Sequence, residues 1–147
     1  MGNEINYNAL INEITKCCFT ENACGSCNRE ICLVGYCKKS LITALKENTQ
    51  FIDGGMEGIP YTDTKVYEEE DLIETIGFIL NQCRNCQLYH DEDCVINIIR
   101  SSMEVGLLGE SQEYGGSSLV YLSDMHKVNP DIADRLLVAF KNKKGGN

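Results

Sequence analysis

Cys24, Cys27, Cys32 and Cys37 follow one another at the spacing Cx2Cx4Cx4C. Four thiols within so short a segment are enough to complete a tetrahedral shell around one ion or to hold one cluster. The two residues between Cys24 and Cys27 let both sulfurs reach a single centre. The ordinary alternative is inert, buried cysteine, because a free thiol packs as a small hydrophobe. That alternative suits Cys37, which falls on an apolar helical face. It fails for Cys24 and Cys27, which flank Gly25 and Ser26. The quartet is therefore read as a ligand set.

Cys83, Cys86 and Cys94 form a second group with three thiols, which needs a fourth donor. His90 completes the pattern Cx2Cx3Hx3C, and a neutral imidazole is a good zinc ligand. The other source is the first helix, where Cys17 or Cys18 would cross-link the two halves of the chain through metal. The two are adjacent, so on a helix they diverge and only one would point into a shared site. His126 beside Asp124 has no glycine-rich elbow or second carboxylate at diagnostic spacing, and reads as an exposed turn. Gly115-Gly116-Ser117-Ser118 lacks the lysine that a phosphate-cradling loop requires.

The first quartet resembles the zinc knuckle, Cx2Cx4Hx4C, with Cys32 where that family has histidine; the likeness covers residues 24–37 and their spacing only. It implies zinc and single-stranded nucleic acid, and Arg29, Lys38, Lys39 and Lys46 against Glu30 supply suitable local charge. The all-sulfur ligation and the helical pattern after Cys32 depart from it. Thiolates in an apolar helical shell also suit a [4Fe-4S] cluster. The first expectation is thus an iron-sulfur protein acting in electron transfer, in redox sensing or as an accessory subunit, with a protein partner. The alternative is a zinc-stabilised module that binds protein or nucleic acid. A third reading is a thiol redox protein using a CxxC pair, whose usual βαβ setting is missing from the pattern. No residue presents itself as catalytic.

The elements that must position these thiols are helical. Leu10, Ile11, Ile14 and Cys17/Cys18 recur at three- and four-residue steps, predicting a helix that ends near Thr20. A second follows over about 30–46. Gly54, Gly55, Gly58 and Pro60 predict a connecting loop over 48–65. Glu68, Glu69, Glu70 and Asp71 suit the start of a third helix, whose apolar face runs from Leu72 to Cys86. A fourth is predicted over about 93–106. Leu119-Val120-Tyr121-Leu122 fits a strand and a helix equally. Asn129 as cap and Pro130 at the first position open a last helix over 130–144, with Lys141, Lys143 and Lys144 at its end. The expected fold is all-α, a compact bundle of about five helices in a single domain over 1–147, with a glycine-rich loop and one short strand pair. Residues 5–47 and 66–108 each read as helix, CxxC, helix. Duplication and coincidence explain this equally well. A twofold relation would either bring both CxxC elements to a common centre or set them at equivalent, separate places.

With 147 residues and 43% hydrophobic content, one core is expected. A formal net charge of -9 supplies no general field for phosphate backbones or anionic membranes. The start of the sequence has no secretory pattern, and no apolar run approaches the ~20 residues of a membrane helix. Gly2 is followed by Asn6 where a myristoylation signal requires Ser or Thr. A reducing cytoplasm is expected, in which nine cysteines are poorly explained as disulfides. The abundant isoleucine and asparagine fit an AT-rich bacterial genome.

Overall fold

The computed structural model describes residues 6–17, 32–49, 51–61, 63, 67–82, 94–109 and 118–144. Among them are six helices, each bounded by recognisable local chemistry. The side chain of Asn6 accepts the amide of Ala9 and opens α1 (Tyr7–Thr15). Cys32 caps α2 (Leu33–Glu47), its sulfur accepting the amide of Gly35 at 3.4 Å, and Asn48 ends that helix in the left-handed conformation at φ 52. Glu69, Glu70 and Asp71 occupy the first turn of α3 (Glu69–Gln82), where their charge complements the unpaired amides. Cys94 precedes α4 (Val95–Leu108), and Gly109 at φ 87 closes it. Two further helices follow, α5 (Ser118–Val128) and α6 (Pro130–Lys144). Asn129 accepts the amide of Ile132 at 3.2 Å, as the predicted cap requires.

The all-α expectation agrees with this architecture, and several details differ. The helix α1 stops at Thr15, not near Thr20, so Cys17 lies in the following turn. Leu119-Val120-Tyr121-Leu122 is helical, which raises the count among the described residues to six. Tyr121, Leu122 and Met125 face inward at helical spacing and decide between the two periods. Among the described residues there is no strand. Extended pairing is limited to one antiparallel bridge between Phe51 and Cys94.

Packing follows from the inward faces. The two helices α2 and α4 run antiparallel: Leu33 lies beside Gly106, Cys37 faces the carbonyl of Ile99, and Phe51 pairs with Cys94. Leu72 also lies beside Gly106, so the start of α3 meets the end of α4. The first helix packs on α2 and α3, and α6 packs on α3 and α5. The central element is α4, whose residues from Val95 to Val105 are all buried. Gly77 allows α3 and α6 to approach closely. A Cβ there would sit 2.7 Å from that of Ala139 and 2.9 Å from the Phe140 nitrogen. Among the described residues, no helix is long and apolar enough to cross a membrane.

Candidate metal centres

Cys32 is half-buried at the amino end of α2, where its sulfur has two close polar neighbours. Gly35 donates its amide to the sulfur, and the hydroxyl of Tyr67 lies 3.5 Å away. Tyr67 in turn donates to Asp63, whose Oδ2 also accepts the Leu33 amide at 2.8 Å. Asp63 and Cys32 thus share the capping of α2, each taking one of the amides that a helix start leaves unpaired. Burial, and then the bond to Asp63, push the Tyr67 hydroxyl well above its ordinary value, so it remains a proton-bearing donor.

Cys37 has different surroundings. It is fully buried and its thiol donates to the Ile99 carbonyl at 3.7 Å. Burial pushes that thiol far up, and the nearby Cys17 and Cys32 sulfurs push in the same direction. Cys17 is also buried, with its sulfur 3.3 Å from the hydroxyl of Thr75 on α3. The sulfurs of Cys17, Cys32 and Cys37 therefore belong to one region, between the end of α1 and the start of α2. Cys18, Cys24 and Cys27 lie outside the described residues, in the segment that joins those two helix ends.

Cys94 stands before α4 as Cys32 stands before α2. Both cap residues have extended backbone, at φ -118, ψ 124 for Cys32 and φ -61, ψ 132 for Cys94. Cys37 and Ile99 each lie five positions after these cysteines and meet across the α2–α4 contact. A twofold relation between the halves would produce that meeting. Cys83, Cys86 and His90 lie outside the described residues. Among the described residues, no three metal-ligating side chains converge on one point.

The antiparallel order separates Cys32 from Cys94. Cys32 is tied through Tyr67 and Leu33 to the end of α4 at Gly106, whereas Cys94 opens that helix. Twelve residues of helix, about 18 Å at 1.5 Å per residue, lie between those points. Cys17 belongs to the Cys32 end. Its neighbour Thr75 is seven residues, or about 10 Å, short of Gln82, after which Cys83 follows.

The sequence reading passed over Asp63 and Tyr67, whose only signal was an acid four residues before a tyrosine. Arg100 and Glu104 of α4 were not singled out either. Arg100 and Glu104 are buried, with Nε donating to Oε2 at 3.1 Å. Arg100 also donates to Asn97 at 2.7 Å and Ser101 at 3.1 Å. Tyr121 donates to Glu104, and its ring lies under the guanidinium, 5.3 Å from the centroid. Burial, then the adjacent Glu104 charge, hold the Tyr121 hydroxyl well above its ordinary value. His126 is exposed as expected and 3.9 Å from Asp134, but it lies on α5 and not in a turn, because the run from Ser118 to Val128 is helical.

The chain matches no protein-family model, no curated protein and no solved structure.

Proposed function

We propose that this protein binds metal through cysteine at two separate centres, one in each helix-CxxC-helix half. A [4Fe-4S] cluster is the favoured cofactor, with a role in electron transfer, in redox sensing or as an accessory subunit. The observation that carries this reading is the shared placement of Cys32 and Cys94. Each follows a CxxC segment and caps the next helix, at opposite ends of α4. Cys24, Cys27 and Cys32 would supply three thiolates at one end, with Cys17 or Cys18 as the fourth. Cys83, Cys86 and Cys94 would serve the other end, with His90 as the remaining donor. Cys37 belongs to the core in this scheme and is not needed as a ligand.

The donor chemistry fits a soft metal or cluster. Cys32 presents a half-buried sulfur that already receives a backbone amide, and thiolate sulfur is the donor that soft metals and clusters select. When bound, a cluster supplies one-electron chemistry, while the protein excludes water and directs amides toward sulfur. The second reading is structural zinc. It is supported by the position of each cap cysteine at a helix–helix connection, where a metal would staple neighbouring helices.

Anaerobic purification followed by a visible absorption spectrum and iron, sulfide and zinc analysis tests both readings. A brown protein containing iron and sulfide is expected. A colourless protein with about two zinc ions per chain would replace the first reading with the second. A folded protein that takes up neither metal overturns both.

A further inference from the structure

Among the described residues, the outward stripe of α6 has a distinctive charge order. Asp131, Asp134, Val138 and Lys141 are all exposed and fall at steps of three, four and three residues. That is the spacing of a helix seam that packs along another helix. It carries two acids in its first half, a base in its second, and between them a valine that is 57% exposed. Beside this stripe lies a groove of about 490 Å³ between α3 and α6, with Ile73, Val138 and Ala139 among its apolar lining and Glu70, Glu74 and Asp134 among its acids. Arg135 is already engaged there, bonded to Glu69 at 2.7 Å and Glu70 at 3.0 Å. The groove therefore presents acid to whatever approaches it.

We propose that this face is a self-association surface, and that its occupant is α6 of a second copy of the chain, running antiparallel about a twofold axis at Val138. A twofold contact requires a surface complementary to itself. An antiparallel pair meets that requirement here: Val138 lies against its own equivalent, and Lys141 of each copy lies opposite Asp134 of the other. The start of α3 runs beside this half of α6, as the Glu69 and Glu70 bonds to Arg135 establish. The incoming lysine would thus meet Glu70 and Glu74 as well. A parallel pair would instead place acid against acid at Asp131 and Asp134. The charge order selects the antiparallel arrangement, with opposite charges brought together twice per dimer.

One helix face and a shallow groove make a small interface, so the dimer is expected to be weak. Sedimentation of the reduced protein as purified, from ~10 µM to ~1 mM, covers the range in which such a dimer forms. Concentration-dependent dimerisation is expected for the parent. Lys141→Glu should remove it, as should Val138→Glu. The double reversal Asp134→Lys with Lys141→Glu should restore it, because the opposed pair is then exchanged rather than lost. All three positions are exposed, and circular dichroism of each variant will verify the fold. A parent that is monomeric up to ~1 mM overturns the proposal. So does a dimer that survives both single substitutions, or a double reversal that stays monomeric while folded.

Discussion

Cys32 caps α2 and Cys37 lies five residues further on, inside the helix, and the two have different surroundings. The cap position leaves the sulfur of Cys32 half-buried at the amino end of α2, five residues after Cys27 in the sequence. The core position of Cys37 gives its thiol a carbonyl to donate to and no access to water. Cys37→Ala should therefore leave the metal content unchanged and lower stability by about 1–2 kcal/mol, the usual range for a small cut in a buried side chain. Metal analysis and denaturant titration of the same preparation measure both effects. Loss of metal in this variant would return Cys37 to the ligand set. The pH dependence has a definite sign. The folded-state thiol is raised above its ordinary 9.0, so its contribution is complete below that pH. It is lost as the pH rises, because the unfolded thiol ionises while the folded one stays protonated. Metal-free parent protein should accordingly lose stability above about pH 9 more steeply than Cys37→Ala.

At the scale of the element, α4 carries an internal polar network through the centre of the core. Arg100 and Glu104 are four positions apart and in sequence look like any helical surface pair, but both are buried here. Removing one partner strands the other, which typically costs about 3–5 kcal/mol, whereas replacing both with apolar residues is far less harmful. Glu104→Leu should thus be strongly destabilised, and Arg100→Met with Glu104→Leu should recover part of the loss in thermal or chemical unfolding. A double variant weaker than the single one would show that the pair itself stabilises the core. The same contrast explains which elements were legible beforehand. The boundaries of α6 were readable because Asn129 and Pro130 act on their immediate neighbours. The helical state of 119–122 was not, since four consecutive apolar residues satisfy both periods until Tyr121 finds Glu104 on another helix. The Asp63–Tyr67–Cys32 connection was equally hidden, because its contacts to the start of α2 join residues 30 and 35 positions apart in the chain.

Across the whole molecule, helix direction decides how the cysteine groups relate. Sequence spacing left open whether the two CxxC elements meet or stand apart, because pairing of helices depends on side chains distant in the chain. The antiparallel α2–α4 contact puts the Cys32 cap near one end of α4 and the Cys94 cap at the other. Cys32 and Cys94, held about 18 Å apart along α4, should behave as independent loads on stability, since perturbations separated by more than about 10 Å usually add within about 0.5 kcal/mol. Cys32→Ser should lose the metal of one centre and keep the other, and Cys94→Ser should do the reverse. The doubly substituted chain should lose both, with a destabilisation close to the sum of the two single effects. Metal content per chain, measured beside denaturant midpoints, separates this from a shared site, in which either substitution would empty the whole protein. The opposite placement makes the second outcome hard to reach. One centre holding both Cys32 and Cys94 would have to draw the two ends of α4 together, and the continuous, wholly buried run from Val95 to Val105 holds them apart.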